Sequence, residues 1–184
     1  MNNVEPRVVV VANRLPVSWD DEAEAWQTSP GGLVAGLTPI LEQIRGTWVG
    51  WSGVPDREFA PFAHGGIRQL PVDLTRAQSE EFYVGFCNGT LWPLYHDSVR
   101  APQFHRHWWR PYQEVNQRFA DVAAKALTSE DVAWVQDYQL QLVPQMLREI
   151  SDLHRIGFYL HIPFPPVELF SKMPWRNQTR QTDE

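Results

Sequence analysis

The chain of 184 residues holds a single cysteine, Cys87, so it forms no internal disulfide, and a reducing compartment fits. It lacks an excess of positive charge: 16 Lys and Arg stand against 22 Asp and Glu, a net charge of −6. A general nucleic-acid surface needs a basic face, so that class is excluded. No apolar run approaches membrane-spanning length, and no charged-then-apolar leader begins the chain. The expectation is a cytoplasmic protein without a membrane partner. Several chemical signatures are also missing. There is no G-x-G-x-x-G, no P-loop lysine behind a glycine pair and no G-x-S-x-G elbow. No Cys/His cluster has zinc spacing, and His105 and His107, close to a helix start, read as a solvated face, so no metal is expected. Internal repeats and low-complexity segments are absent as well.

What is there suffices for a core. Hydrophobic residues make up 43% of the chain, and its length sets one domain as the prior. Nine tryptophans supply flat apolar faces, which pack in cores and also stack on sugar rings. Strand-like and helix-like segments alternate, the pattern of an α/β domain with a parallel sheet. Strands are expected at 8–12, 47–51, 67–72, 132–137 and 155–161. A helix is expected over 32–45, with Leu33, Leu37, Ile40, Leu41 and Ile44 on its apolar face. Thr75 and Gln78 form a capping-box pattern that opens a second helix, stopping at Asn88-Gly89. Residues 91–96 read as irregular. A long helix is expected from His107, with Trp108, Tyr112, Val115, Phe119, Val122 and Ala126 along one stripe. Leu142, Val143, Met146, Leu147 and Ile150 mark the next helix, and 166–171 a short one. Residues 20–30 read as a mobile polar loop.

Two features of the first strand-loop-helix unit suit anionic oxygens. Arg14 follows the apolar run of residues 8–13, placing a planar cationic fork where a buried strand stops. Gly31 and Gly32 open the next helix, whose free N–H groups and partial positive charge favour phosphate. Each has a plainer reading, Arg14 as a surface ion pair and the glycines as a flexible lead-in. The positional regularity is more informative. Arg14, Trp51, Asp137 and His161 each sit at or just beyond the C-terminal end of an expected strand, and in open parallel sheets those ends face one ligand crevice. Asp137 could instead cap the following helix, and His161 could be a packed histidine holding a loop. No second carboxylate stands opposite Asp137 on an expected rim, which disfavours a paired-carboxylate hydrolase.

Six segments occur in order: VVVVANRLPV, GGLVAGL, WVGWSG, FYVGFCNGTLWPLYH, WVQDYQLQLVPQMLR and IGFYLHIPFPPVELF. Together, over residues 7–176, they resemble the N-terminal domain of the trehalose-6-phosphate synthase family of retaining glycosyltransferases. The resemblance implies a Rossmann-like parallel sheet flanked by helices, the N-terminal half of a two-domain enzyme. It implies glucosyl transfer from a nucleotide sugar, usually UDP-glucose, to glucose 6-phosphate, giving α,α-trehalose 6-phosphate. No cofactor is implied, because the nucleotide sugar is a co-substrate.

By motif, Arg14 and Tyr83 would bind the acceptor phosphate, Trp51 and Trp92 would line the acceptor sugar, and Asp137 would accept acceptor hydroxyls. Gly31 and Gly32 would face the donor pyrophosphate and sugar, and His161 would contact the donor glucose, so Asp137 and His161 are the expected catalytic pair. Gln136 and Gln139 stand where many relatives carry His in an H-D-Y-H motif. The expected organisation is an acceptor-side domain over residues 1–176 and a disordered tail over 177–184. The donor-binding domain is expected to be absent, and a chain so truncated is expected to be inactive alone. A homo-oligomer is left open for the full-length form. The alternatives are a related synthase using another phosphorylated acceptor, such as glycerol 3-phosphate, and a non-catalytic domain that binds glucose 6-phosphate.

Overall fold

A computed structural model describes residues 7–96, 100–152 and 155–176; the expected tail over 177–184 lies outside them. The chain starts with β1 (Val8–Arg14), followed by the hairpin β2 (Val17–Asp20) and β3 (Ala25–Thr28). Helix α1 (Gly32–Ile44) leads to β4 (Thr47–Trp51), β5 (Phe62–His64) and β6 (Ile67–Pro71). One continuous helical path then runs through α2 (Arg76–Gln78), a wide π-helical stretch (Ser79–Leu91) and α3 (Trp92–Tyr95). Next come α4 (Arg106–Ala126), β7 (Val132–Gln136), a 3-10 turn (Tyr138–Leu140), α5 (Val143–Ile150), β8 (Arg155–Tyr159) and α6 (Val167–Phe170).

Six strands form one sheet in the order β5-β6-β4-β1-β7-β8. All neighbours pair in parallel except β5 with β6, which is antiparallel at the edge. The expected parallel α/β sheet is therefore present, with an added edge strand too short to announce itself. β1 lies in the middle and is covered on both faces, which is why its sequence is a continuous apolar run. The alternation of a strand divides its side chains: Val9 and Val11 join the larger core, Val10 and Ala12 the smaller one. Tyr112, Val115 and Phe119 of α4 and Leu147 of α5 fill the larger core, while Leu41 of α1 and Trp48 of β4 fill the smaller. On α1 the working stripe is Leu33, Leu37 and Leu41, at helical spacing; Ile40 and Ile44, expected on the apolar face, are exposed. Among the described residues no helix is long and apolar enough to cross a membrane.

The structure corrects three local expectations. Residues 20–30 are not a loop but carry most of a hairpin. Trp19 pairs with Trp26 across the strands, their rings 5.3 Å apart, and Phe59 and Phe62 pack on them. Asp20 closes the turn by accepting from the N–H groups of Glu22 and Ala23, doing with a side chain what the missing glycine would do with its backbone. The second helix opens on the reciprocal Thr75–Gln78 capping box as expected, but does not stop at Asn88-Gly89. Glycine serves close approach there: a Cβ on Gly85 would lie 2.7 Å from Trp108 of α4, and one on Gly89 would lie 3.1 Å from it. Residues 92–95 of the aromatic LWPLYH stretch are consequently helical as well.

At the opposite edge from the strand ends, Asp131 ties the start of β7 to the start of β1. Its buried carboxylate accepts from the backbone and guanidinium of Arg7 and from the N–H and hydroxyl of Thr128. Burial alone would raise its pKa, but these hydrogen bonds outweigh it and hold Asp131 at about 2. A folded-state value below the unfolded one makes this contribution present at neutral pH and lost as pH falls from about 4 toward 2. It amounts to roughly 2 kcal/mol. Asp131→Asn is expected to lower the melting temperature at pH 6 and to flatten its fall between pH 5 and pH 3; parallel acid profiles of variant and wild type would refute the assignment.

Candidate functional site

The chain builds β1, β4 and β6 outward on one side of the sheet and then returns to lay β7 and β8 on the other side of β1. Connections leaving β1 and β7 therefore run in opposite directions, and a crevice opens between the carboxyl ends of those two strands. A cavity of about 510 Å³ occupies that place. Its lining includes Asn13 and Arg14 from the end of β1, Gly31 and Gly32 from the start of α1, Tyr83, and Gln136, Asp137 and Gln139 from the end of β7.

Arg14 is held from three sides. Its carbonyl accepts from the indole N–H of Trp48 at 3.0 Å, fixing the strand end. Its guanidinium lies over the ring of Trp51, 4.9 Å from the centroid. Gly53, at φ +89°, leaves it room: a Cβ there would sit 1.9 Å from Nη2. Burial pushes its pKa down, against a smaller opposing effect of Tyr83, although part of the residue stays open to solvent. Among the described residues no carboxylate pairs with it. A partly desolvated guanidinium without a counter-ion is a site for an anion.

Across the cavity, α1 begins at Gly31-Gly32 with no side-chain cap and no acidic residue in its first turn, so its first N–H groups remain available. A Cβ on either glycine would meet nothing within 4 Å. That openness belongs to the cavity side of the helix start.

Asp137 adopts φ +70° and ψ 170°, a strained conformation for a non-glycine residue. Surrounding hydrogen bonds impose it: its N–H donates to the Tyr159 carbonyl, and its Oδ1 accepts from the N–H of Tyr138 at 2.9 Å and of His161 at 3.4 Å. Asp137 thus caps the turn that follows and also lines the cavity. His161 lines an adjoining groove of about 500 Å³ together with Trp134 and Tyr159, and Gly32 and Gln136 border both spaces.

The structure thus brings together Arg14, Tyr83, Gly31, Gly32 and Asp137, with His161 next door. Trp51 is placed behind Arg14, only 5% exposed, and touches the site through the guanidinium and through Tyr83, 6.5 Å away ring to ring. Trp92 stands on α3, stacked on His96 at 4.2 Å, outside the described linings of both spaces. The sequence reading passed over Trp48 and Gly53, which hold Arg14. Their signal was present: Trp48 neighbours Trp51 on one strand, and a glycine just past a strand end often marks close approach. Burial, and then the charge of Asp137, push the Cys87 thiol up, so no thiolate is at hand. Among the described residues no three His, Cys, Asp or Glu side chains gather as a metal site. The arrangement can orient hydroxyls and stabilise negative charge.

Gly53→Ala is expected to push the guanidinium off Trp51 and to lower the melting temperature. Gly66→Ala, also at positive φ but with open space around it, is the matched control for backbone strain, about 1–3 kcal/mol. Tryptophan fluorescence should change in the first variant alone; equal spectra would show that Gly53 does not support Arg14.

The sequence profile of Glycosyltransferase family 20 matches residues 6–180. The trehalose-6-phosphate synthase of Mycolicibacterium smegmatis is 52% identical over 173 residues, covering 92% of this chain and 34% of that protein. Among solved structures, an α,α-trehalose-phosphate synthase (UDP-forming) from Burkholderia vietnamiensis superposes with a TM-score of 0.83 at 32% identity, over 99% of this chain and 40% of that one. A Burkholderia xenovorans α,α-trehalose-phosphate synthase (UDP-forming), in complex with glucose 6-phosphate, gives 0.81 at 31% identity, over 96% of this chain and 38% of that one. The chain thus spans about a third of the length of the curated relatives it matches. With a matching profile along nearly its whole length and the shared fold, the chain belongs to Glycosyltransferase family 20.

Proposed function

We propose that this chain forms the acceptor side of a glucosyltransferase that moves glucose from UDP-glucose to glucose 6-phosphate, giving α,α-trehalose 6-phosphate. The observation that carries the proposal is Arg14: a cation that no carboxylate pairs with among the described residues, in a cavity at the sheet's switch point, opposite an uncapped helix N-terminus. Arg14, with Tyr83, takes the acceptor phosphate, and Asp137 takes acceptor hydroxyls. Trp51 backs Arg14. Gly31 and Gly32 face the donor pyrophosphate and sugar, with His161 on the donor glucose. The family resemblance and the relatives' names, one of them a complex with glucose 6-phosphate, support these assignments.

The chemistry asks for positioning more than for a nucleophile. The leaving phosphate takes the acceptor proton on the face from which it departs, so configuration is retained without a covalent intermediate. Holding both sugars in this same-face geometry is worth about 7–11 kcal/mol of barrier. Fixed N–H groups and Arg14 stabilise developing negative charge. The reading is of a cytoplasmic enzyme without a cofactor, with residues 1–176 as its acceptor-side domain.

Glucose 6-phosphate titrated into this chain by calorimetry is expected to bind, and Arg14→Ala to weaken it by about one to two decades, the loss of one charge-assisted hydrogen-bonded contact of roughly 1.5–3 kcal/mol. Glucose is expected to bind poorly to both forms. Equal affinity in both forms would overturn the phosphate assignment. Glycerol 3-phosphate binding as tightly as glucose 6-phosphate would favour the other acceptor class.

A further inference from the structure

Gln136 ends β7 with its side chain almost wholly buried, 1% exposed, yet it borders both the cavity and the adjoining groove. Its amide makes two hydrogen bonds of opposite sense. Nε2 donates to the Trp134 carbonyl at 3.3 Å, and Oε1 lies 3.0 Å from Nε2 of His161. The backbone carbonyl decides which end of the amide points where, because a flipped amide would set two oxygens against each other. Oε1 therefore faces the imidazole, and an oxygen that can only accept requires the facing ring nitrogen to donate.

We propose that Gln136 is a positioning residue for His161: it fixes the neutral ring as the Nε2–H tautomer and leaves Nδ1 as the ring's acceptor. Among the described residues Nδ1 has no protein partner, so it is free to accept from a hydroxyl of a ligand. The second tether is the backbone. The His161 N–H reaches Asp137 Oδ1, so neighbouring residues at the end of β7 hold both the main chain and the ring of a residue that is otherwise exposed. The edge of the His161 ring also meets Tyr159, 4.7 Å between centroids, which limits its tilt. The structure contains a built-in comparison. Gln69, in the middle of β6, donates to the carbonyl two residues back in the same way, but among the described residues its Oε1 has no partner. What distinguishes Gln136 is the imidazole opposite. The bearing of this tautomer on glucosyl transfer rests on the proposed function; the tautomer itself does not.

The test is the pair of ring-nitrogen chemical shifts of His161 in the 15N-labelled chain, at a pH where the ring is neutral. The wild type is expected to show Nε2 protonated and Nδ1 bare. Gln136→Leu is expected to lower the ratio of Nε2–H to Nδ1–H about two- to tenfold, as the loss of one net hydrogen bond dictates. Gln136→Met, which also removes the oxygen, is the second variant should leucine not be accommodated. Gln69→Leu is expected to leave the His161 ratio unchanged. Protonation at Nδ1 in the wild type overturns the proposal without recourse to any variant. An unchanged ratio in a folded Gln136 variant also overturns it, and would leave Gln136 a packing residue. No sugar phosphate enters the measurement, so its outcome is independent of whether glucose 6-phosphate binds.

Discussion

Everything in the site follows from the placement of one strand. β1 is apolar on both faces and must lie in the interior of the sheet, where α1 covers one side and α4 and α5 the other. The strands added before α2 lie to one side of it and those added after α4 to the other. The loops beyond β1 and β7 diverge in consequence, and the space between them is closed below by the sheet and open above. Arg7 and Asp131 lock the far ends of the same two strands, so the pair that opens at the site is tied at its base.

Into that opening the fold places groups that are costly to leave unsatisfied. Arg14 is partly desolvated and without a carboxylate partner among the described residues. Asp137 is held at positive φ by its hydrogen bonds to Tyr138, Tyr159 and His161. The start of α1 presents uncapped N–H groups. Local strain and unpaired charge cluster where function is carried, and other contacts of the fold offset their cost. Under the proposed function, a ligand bearing both a phosphate and hydroxyls satisfies Arg14 and Asp137 together.

Much of this was legible in the sequence because it depends on period and on strand ends. The run of residues 8–13 marked the central strand, and Arg14, Asp137 and His161 were found by asking what stands where each strand stops. The hairpin at 17–28 was illegible because its turn is made by the Asp20 side chain and its pairing by Trp19 and Trp26, neither of which resembles a glycine turn. The helix through Asn88 and Gly89 was misjudged because glycine has two uses, ending a helix and admitting a neighbour, and only the position of Trp108 shows which applies. Trp51 is expected to line the acceptor sugar, yet its place behind Arg14 rather than in the open wall needs the three-dimensional arrangement. The role of Gln136 depends on an amide orientation that no sequence pattern encodes.

The central claim is that the crevice between β1 and β7 receives a sugar phosphate. The most direct test is to titrate glucose 6-phosphate into the 15N-labelled chain and map the amide shifts. The account predicts perturbations centred on Asn13 to Leu15, Gly31 to Val34, Tyr83 and Gln136 to Gln139, the walls of one cavity. Shifts centred instead on the groove lined by Arg68, Val122 and Lys125, or no saturable shifts at all, would contradict it.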